Sequence, residues 1–379
     1  MSVVAGAMKV LASLVTAMSI LLCVAALAYA DVIDLPGEWR VKLGLEEATP
    51  NPDCRPGLYR KSPASPEPVP GRWRFEPEAP KAQVESGGAT IGDTIYVVGG
   101  ARPGNLHTVL AFDIRSRRWS EPTKLPVGLN HAAVAAHEGK LYVAGGFLEG
   151  NEETDVFLSY DPATDEWSKL PPMKLARGGG AAVTIGDRLY VVNGGPNPYG
   201  VEDPEPPVAR LEVFDFGKRA WSVAAPPPVA AHHTAAAVAD GRIYLAGGRS
   251  AEEVSSATFS SYDPAADRWT RLPDLPQGKI SSLSAVTAGG RVVVIGGDDE
   301  QGWEDGGGFV SPMAWAYDPR GQGWTRLPDL HVERHAFTAA TADGRIYAVT
   351  GTICPGLKPA GPVTTHTVES LPISVIPGR

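Results

Sequence analysis

The sequence predicts an all-β fold in which one four-stranded antiparallel unit is repeated six times. A short aliphatic run followed by a glycine pair recurs about every fifty residues, and a period of this length indicates a repeat array. After each of the first five pairs come an aromatic-Asp step and, six residues beyond the Asp, a tryptophan. The 43 glycines and 35 prolines among 379 residues disfavour an array of helices.

The glycine pairs are assigned to the end of the second strand of each unit. Glycine suits this place because a residue without a Cβ atom permits unusual dihedrals and close backbone approach. The sixth copy is degenerate, since a glycine would be expected where Thr350 stands before Gly351. The intact pairs are Gly99-Gly100, Gly145-Gly146, Gly194-Gly195, Gly247-Gly248 and Gly296-Gly297.

The tryptophans are assigned to the outermost strand of each unit, where their large apolar surface can wedge between adjacent sheets. An alanine- and valine-rich stretch lies ahead of the aliphatic runs and supplies an innermost strand with small side chains, which suits the convergence of strands at an axis. The repeated tryptophans are Trp119, Trp167, Trp221, Trp269 and Trp324.

This pattern resembles the kelch repeat, whose units are the blades of a β-propeller. The resemblance covers roughly residues 71–371 and implies six blades of four antiparallel strands. No tryptophan follows Gly351, whereas Trp73 has no glycine pair ahead of it. We therefore expect the Trp73 strand to pair into the C-terminal blade, with residues 346–351 and 365–371, because such a mixed sheet closes the ring.

Three segments are predicted along the chain. Residues 1–30 have the pattern of a secretory signal peptide, since Lys9 is their one charge and Ala28-Tyr29-Ala30 is a small-x-small cleavage site. An uncleaved membrane anchor is the competing interpretation. Residues 31–70 form a Pro-rich arm, and residues 71–379 form the propeller. We expect an exported protein of bacterial type, periplasmic or extracellular.

Two cysteines remain after residues 1–30 are removed, namely Cys54 and Cys354. Two cysteines in an exported chain favour one disulfide, and here it would link the arm to the blade that closes the ring. The alternative is a pair of thiols.

The charge pattern excludes some partners. The net charge is −9, with 34 basic and 43 acidic residues spread evenly, so the sequence has no basic patch for nucleic acid or anionic lipid. We expect a monomer without membrane contact beyond the N-terminal segment.

Recognisable catalytic and cofactor motifs are not found. The sequence has no His-Glu-x-x-His, Cys-x-x-Cys, Gly-x-Ser-x-Gly or phosphate-binding glycine loop, so we predict no cofactor and no metal. Adjacent His232 and His233 would point to opposite faces of a strand. At most one of them could therefore bind the same metal ion as His131 or His335 across the channel.

Polar residues at the starts of the inner strands are the candidate ligand-binding site. These starts converge on one mouth of the axial channel, where arginine and histidine could bind a carboxylate or a cluster of sugar hydroxyls. The alternative is that they only satisfy backbone carbonyls. The candidates are Glu85, His131, Arg177, His233, Arg334 and His335.

The loops that follow the glycine pairs differ in length and composition, which is typical of recognition loops on a rigid scaffold. Tyr199 and Trp303 are candidate contacts in two of them. We expect a non-catalytic exported module that binds a protein or a glycan. The alternative is a carbohydrate-active enzyme similar to the kelch-type sialic acid mutarotase, acting at the channel mouth through Arg177, Arg334, His131, His233 and Glu85.

Overall fold

A computed structural model describes residues 73–101, 106–149, 152–196, 206–251, 255–299, 309–353 and 364–376. These residues form six four-stranded antiparallel sheets and one two-stranded hairpin. The predicted six-bladed β-propeller is therefore confirmed. The segments 1–30 and 31–70, the pair Cys54 and Cys354, and the loop residues Tyr199 and Trp303 lie outside the described residues. Within that part of the chain, no helix is long and apolar enough to cross a bilayer.

Four strands form each blade. Blade 1 consists of β2 (Gly87–Ile91), β3 (Thr94–Val98), β4 (Thr108–Asp113) and β5 (Arg118–Lys124). Blade 2 consists of β6 (Ala133–His137), β7 (Lys140–Ala144), β8 (Phe157–Asp161) and β9 (Glu166–Lys169). Blade 3 consists of β10 (Ala181–Ile185), β11 (Arg188–Val192), β12 (Leu211–Asp215) and β13 (Ala220–Ala224).

The second half of the ring follows the same order, with a small hairpin inserted in blade 5. Blade 4 consists of β14 (Ala235–Ala239), β15 (Arg242–Ala246), β16 (Phe259–Asp263) and β17 (Arg268–Arg271). Blade 5 consists of β18 (Ser284–Ala288), β19 (Arg291–Ile295), β22 (Ala314–Asp318) and β23 (Gly323–Leu327). The separate hairpin between β19 and β22 consists of β20 (Asp298–Asp299) and β21 (Phe309–Val310). Blade 6 combines β24 (Thr338–Ala342), β25 (Arg345–Val349) and β26 (Val368–Pro372) with β1 (Arg74–Glu76).

The mixed sixth blade closes the ring as the sequence predicted. Strand β1 pairs antiparallel with β26, with Arg74 opposite Ser370. A short 3-10 helix, Ile373–Val375, follows β26. Because a strand from the start of the propeller completes the last sheet, the backbone hydrogen bonds of both ends are satisfied within one blade.

Four of the five repeated tryptophans donate a hydrogen bond to the blade before their own, whereas the indole N–H of Trp324 is buried without a partner among the described residues. The indole N–H of Trp119 donates to Pro77 O at 2.9 Å, and that of Trp221 donates to Pro171 O at 2.8 Å. Trp269 donates to Ala225 O in the same way, and Trp167 donates to the Thr123 hydroxyl. The tryptophan thus supplies both apolar area and one polar bond across the blade interface.

The repeated aspartates are turn residues. Asp161 Oδ1 accepts from the backbone N–H of Ala163 at 3.0 Å, and Asp215 Oδ1 accepts from that of Lys218 at 2.8 Å. A carboxylate that binds the backbone two or three residues further on fixes the tight turn into the outer strand.

The glycine pairs occupy left-handed backbone, with one change of register. In blade 3 the equivalent residues are Asn193 and Gly194, with φ of 58° and 93°, and not Gly194 and Gly195. Asparagine tolerates the first position because it enters the left-handed region more readily than most residues. In blade 6 Thr350 takes that position at φ 56°.

The two faces of the propeller differ in their connections. Inner and second strands are joined by uniform two-residue hairpins, at 92–93, 138–139, 186–187, 240–241, 289–290 and 343–344. The opposite end, which we call the loop face, carries the segments between the second and third strands: 99–107, 145–156, 193–210, 247–258, 296–313 and 350–367. The inner strands also begin at the loop face, so the predicted site lies there.

Candidate functional site

Six residues form a ring of backbone hydrogen bonds around the axis, immediately before the inner strands. The ring positions are Glu85, His131, Gly179, His233, Ser282 and Ala336, and each has a φ between 49° and 68°. The N–H of each donates to the carbonyl oxygen of the preceding blade's ring residue, at 2.7 to 3.0 Å, and the Glu85 N–H donates to Ala336 O. The ring of hydrogen bonds is therefore closed between blades 1 and 6, where the propeller itself closes.

An axial cavity of about 180 Å³ begins at this ring. Four residues from each blade line it, starting with the ring residue and continuing along the inner strand, as in 131–134 and 233–236. Beyond the ring the lining is mostly alanine, glycine, serine and threonine, because strands that converge on an axis leave room only for small side chains. The chemistry of the cavity therefore depends on the ring.

Three ring side chains meet at the axis. His131 Nε2 lies 3.0 Å from His233 Nε2 and 3.2 Å from a carboxylate oxygen of Glu85. The other carboxylate oxygen of Glu85 lies 3.6 Å from His233 Nε2. The three residues come from blades 1, 2 and 4, so more than a hundred residues separate Glu85 from His233 in the chain.

Small ring residues make this convergence feasible. Gly179 stands between His131 and His233 in the ring and contributes no side chain, while Ser282 and Ala336 are also small. Glu85 and His233 are on opposite sides of the six-membered ring, and their side chains reach the axis from both sides. The left-handed backbone is common to all six ring positions, and such strained conformations concentrate at functional sites.

The outer nitrogen of each imidazole is held by a neighbour. Asn130 Oδ1 lies 2.5 Å from His131 Nδ1, and His232 Nδ1 lies 2.5 Å from His233 Nδ1. His131 also packs against the Phe147 ring, with 5.1 Å between ring centroids. These contacts fix the rings so that both Nε2 atoms face the axis.

Burial sets the charges of the cluster. Burial lowers the pKa of His233 to about 4, with help from the charge of Arg249. Burial also holds the pKa of His232 well below its usual value. At Glu85, burial acts to raise the pKa, but the neighbouring His131 and His233 outweigh it and bring the pKa well below the ordinary range. At neutral pH the cluster therefore contains a carboxylate and a neutral His233.

A second polar group lies beside the ring. Arg249 Nη2 is 3.3 Å from Asp298 Oδ2, and the Ser281 hydroxyl donates to Asp298 Oδ1 at 2.7 Å. His335 Nδ1 is 3.6 Å from the same carboxylate. His335 therefore faces Asp298, while the next residue, Ala336, occupies the ring position.

Arg177 and Arg334 lie elsewhere than the sequence predicted. Each stands two residues before a ring position, and neither lines the axial cavity. Arg177 Nη1 is 2.9 Å from Glu212 Oε1, and Arg334 Nη2 is 2.7 Å from Glu369 Oε1, with all four side chains almost fully buried. Both guanidinium groups also donate to backbone carbonyls of their blade, including Asn193 O and Thr350 O. They are structural cations of blades 3 and 6.

Of the predicted candidates, the structure brings Glu85, His131 and His233 together at the axis, whereas Arg249 and Asp298 were not predicted. Asn130 and His232 orient the imidazoles, and Arg249 and Asp298 flank the ring. A signal for the last two was present, because each directly follows a glycine pair. In the structure this position bridges to the residue before the ring, as in His232 with Arg249 and Ser281 with Asp298.

Comparisons with known proteins agree with this architecture. The chain is 28% identical over 315 residues to Kelch-like protein terF of Aspergillus terreus, covering 78% of this chain and 67% of that protein. It is 27% identical over 295 residues to Kelch-like protein 25 of Xenopus tropicalis, covering 76% of this chain and 48% of that protein. The chain thus spans about half the length of the latter relative.

A solved structure titled "Structure of YjhT" shares the fold. It superposes with a TM-score of 0.66 at 17% identity, covering 77% of this chain and 95% of that one. The Attractin/LZTR1 beta-propeller family model matches residues 95–353, which span the second strand of blade 1 through the second strand of blade 6. The repeats, the closed ring and this match together establish that the chain belongs to the Attractin/LZTR1 beta-propeller family as a kelch-repeat propeller protein.

Proposed function

We propose that this chain is an exported, non-catalytic binding module whose loop face engages a protein partner. The kelch β-propeller fold is typical of protein-binding modules. Because propellers also carry enzymes, the fold alone does not decide the function, and the proposal depends on how the loops are arranged.

The observation that carries the proposal is the contrast between the two faces. On one face the six hairpins between inner and second strands contain two residues and the five turns between third and outer strands contain four, whereas the loop-face segments between second and third strands range from nine residues at 99–107 to 18 at 193–210, 296–313 and 350–367. Length variation restricted to one face is what a recognition surface needs, since uniform hairpins maintain the scaffold while the loops diversify.

The bases of these loops are held firmly. In blades 2 to 6 the residue after the glycine pair, or after its equivalent, bridges back to the residue before its own blade's ring position, as in Asn130 with Phe147 and His335 with Thr352. Anchored loop bases lower the entropy lost when a partner is bound, which supports a role in stable recognition.

The sugar-enzyme alternative is not proposed. It required Arg177 and Arg334 as carboxylate-binding groups, and both are committed to buried ion pairs with Glu212 and Glu369. Releasing either arginine to a ligand would take the buried cation from its carboxylate, leaving only the more exposed Arg210 beside Glu212 or His331 beside Glu369, and breaking a buried ion pair costs about 3–5 kcal/mol.

The test is loop replacement. Partners are captured by crosslinking the full chain in the exported fraction of its host, and the binding of each purified partner is then titrated. Replacement of 300–308 or 197–205 by glycine-serine segments of equal length is expected to weaken binding by about tenfold or more for at least one loop, since a few contacts dominate interfaces. Arg115→Glu is the matched control, because the Arg115 side chain is 80% exposed and lies in a turn on the face opposite the loop face.

Two results would contradict the proposal. Binding could be lost on Arg115→Glu and survive both loop replacements, which would place the interface on the other face. Specific binding to a glycan array, with no protein captured, would assign the loops to a sugar ligand.

Export is a separate part of the proposal and depends on residues 1–30. The apolar segment and the Ala28-Tyr29-Ala30 step support cleavage after Ala30. Intact-mass analysis of the exported protein is expected to find a chain that starts at Asp31 with Cys54 and Cys354 joined. A full-length chain in the membrane fraction would instead support the anchor.

A further inference from the structure

We propose that Glu85, His131 and His233 bind one divalent transition-metal ion, of the zinc class, on the propeller axis. This site goes beyond the proposed binding function and was not predicted from the sequence. It brings together one carboxylate and two imidazoles from three blades. Two histidines and a glutamate are a ligand set that proteins use for zinc with a further position left for water or another ligand.

The spacing of the three groups fits tetrahedral coordination. Ligand atoms about 2.0–2.2 Å from a zinc ion stand about 3.3–3.6 Å from one another when they occupy tetrahedral corners. The observed separations are 3.0 Å between the Nε2 atoms, 3.2 Å from Glu85 to His131 and 3.6 Å from Glu85 to His233. The groups therefore stand close to these separations, with the two Nε2 atoms somewhat nearer to each other and a different oxygen of Glu85 facing each imidazole.

Lone pairs outnumber protons in the cluster. In the tautomer in which His131 Nδ1–H donates to Asn130 Oδ1, the Nε2 atom carries its lone pair towards Glu85 and His233. The Glu85 carboxylate offers only acceptor atoms. His233 Nε2 can supply at most one proton to these neighbours, and a cation satisfies all of the lone pairs at once.

Residues outside the ligands complete the arrangement that metal sites require. Histidine ligands almost always use their other ring nitrogen in a hydrogen bond, which fixes the orientation of the ring. Here Asn130 holds His131 Nδ1 and His232 holds His233 Nδ1. The same three ligands line the end of the axial cavity of about 180 Å³, so a fourth coordination position can open into it.

A competing cluster provides the control. His137, Glu138 and Asp187 also bring ligand atoms within 4.8 Å of one another, but Glu138 and Asp187 are exposed. Strong hydration of exposed ligands and the small number of nitrogens make this group a weak site. The His137→Ala variant removes it and leaves the axial cluster unchanged, so all measurements use that background.

The variants are chosen to preserve the fold. Ser282 occupies a ring position in blade 5 with the same left-handed backbone, so His131→Ser and His233→Ser place a residue that the ring already accepts. Glu85→Gln keeps the shape of the third ligand. Asn130→Ala leaves the ligands in place and removes a residue that positions one of them.

The experiment is a titration of the untagged full chain with Co²⁺ and Zn²⁺. We expect the His137→Ala protein to hold one equivalent of Zn²⁺ after dialysis and to show the strong visible bands of four-coordinate Co²⁺. Each ligand variant is expected to lower affinity by more than about a hundredfold, and Asn130→Ala by about ten- to a hundredfold. Because the ion joins three blades, excess Zn²⁺ is also expected to raise the melting temperature of the His137→Ala protein.

The proposal is overturned if the His137→Ala protein retains no stoichiometric zinc and its melting temperature does not respond to zinc. It is equally overturned if His131→Ser and His233→Ser, shown to be folded by circular dichroism, bind Co²⁺ with unchanged affinity. Should the ring variants fail to fold, the stoichiometry, spectrum and melting temperature of the His137→Ala protein decide the question.

Discussion

The indole N–H of Trp73 donates a 2.9 Å hydrogen bond to the carbonyl oxygen of Pro328, which lies 255 positions further along the chain. Trp73 stands just before β1, the strand that completes blade 6, while Pro328 follows the outer strand of blade 5. The same tryptophan-to-carbonyl bond links Trp221 with Pro171 between two consecutive blades. The ring closure thus reproduces an ordinary blade interface with residues from the two ends of the propeller.

Trp73→Phe is expected to destabilise the protein more than Trp324→Phe does. Both changes shrink an aromatic side chain, but only Trp73 loses a hydrogen bond, because within the described residues the Trp324 indole N–H is buried without a partner. The lost bond and the carbonyl left unsatisfied predict a difference of about 1–2 kcal/mol in the free energy of unfolding. Urea denaturation of both variants measures it, and equal losses would show that the Trp73 bond contributes nothing to closure.

The fold could be predicted because its signals are local and repeated. The mixed blade followed from Trp73, which has no glycine pair ahead of it, together with Gly351, which has no tryptophan behind it. The register of blade 3 was missed because Asn193 can adopt the backbone of the first glycine, so Gly194 and Gly195 looked like an intact pair. Counting from the aliphatic run that ends at Val192 would have given the observed pair.

The site was predicted only in part, because the direction of a side chain changes when its residue stands one or two positions before the ring position. Arg177 and Arg334 stand two places before the ring and turn back into their blades, whereas His131 and His233 stand on it. Sequence patterns could not supply the left-handed dihedral that directs a ring residue inward. The meeting of Glu85 with His233 also needs the closed ring, which no local pattern contains.

Arg334→Met is expected to destabilise the protein by about 3–5 kcal/mol, because it takes from the buried Glu369 carboxylate its buried cationic partner and leaves only the partly exposed His331 beside it. Both side chains of this pair are fully buried. The double variant Arg334→Met with Glu369→Gln is expected to recover part of the loss, since it removes the buried charge and its amide oxygen can still accept from one of the two backbone N–H groups, of His331 and Val332, that bind the two carboxylate oxygens.

Arg320→Met is the control for this cycle. Arg320 pairs with Asp240 at 3.1 Å, but its side chain is 65% exposed, and such pairs contribute less than about 1 kcal/mol. Chemical denaturation gives the three free energies of unfolding. A loss for Arg334→Met no larger than that for Arg320→Met would mean that Arg334 is replaceable, and the ligand-binding role predicted from the sequence would then be open again.

Gly297→Ala is expected to cost about 2–5 kcal/mol, more than Gly139→Ala. At Gly297 the backbone φ is 99°, and a Cβ atom would lie 2.7 Å from both Ile280 Cγ1 and Ser281 O. The cost combines left-handed strain with overpacking. At Gly139, which lies in a hairpin at φ 76°, an added Cβ atom would meet no other atom within 4 Å. The expected cost of Gly139→Ala is therefore only the left-handed strain of about 1–2 kcal/mol.

Thermal and urea unfolding of both glycine variants separate these contributions. Equal destabilisation would mean that strain alone explains the glycine pair. A larger loss at Gly297 would confirm that close approach of Ser281, which lies next to the axial ring, is what requires a glycine at the second position.

Stability is expected to fall below about pH 4 through the turn aspartates. The hydrogen bond from the Lys140 side chain and the backbone N–H of Ala163 lower the pKa of Asp161 below its usual 3.8. The backbone N–H of Lys218 lowers that of Asp215. Since the unfolded chain takes up protons at a higher pH than the folded chain, these carboxylates stabilise the fold above the unfolded pKa, and their contribution is lost as the pH falls through the folded pKa.

The double variant Asp161→Asn with Asp215→Asn tests this origin. Its amide oxygens can still accept the turn hydrogen bonds, so the fold is retained, but the two groups no longer titrate. We expect the variant's melting temperature to decline less steeply than that of the unaltered protein between neutral pH and about pH 3. If both proteins lose stability in parallel, the acid sensitivity arises in other carboxylates.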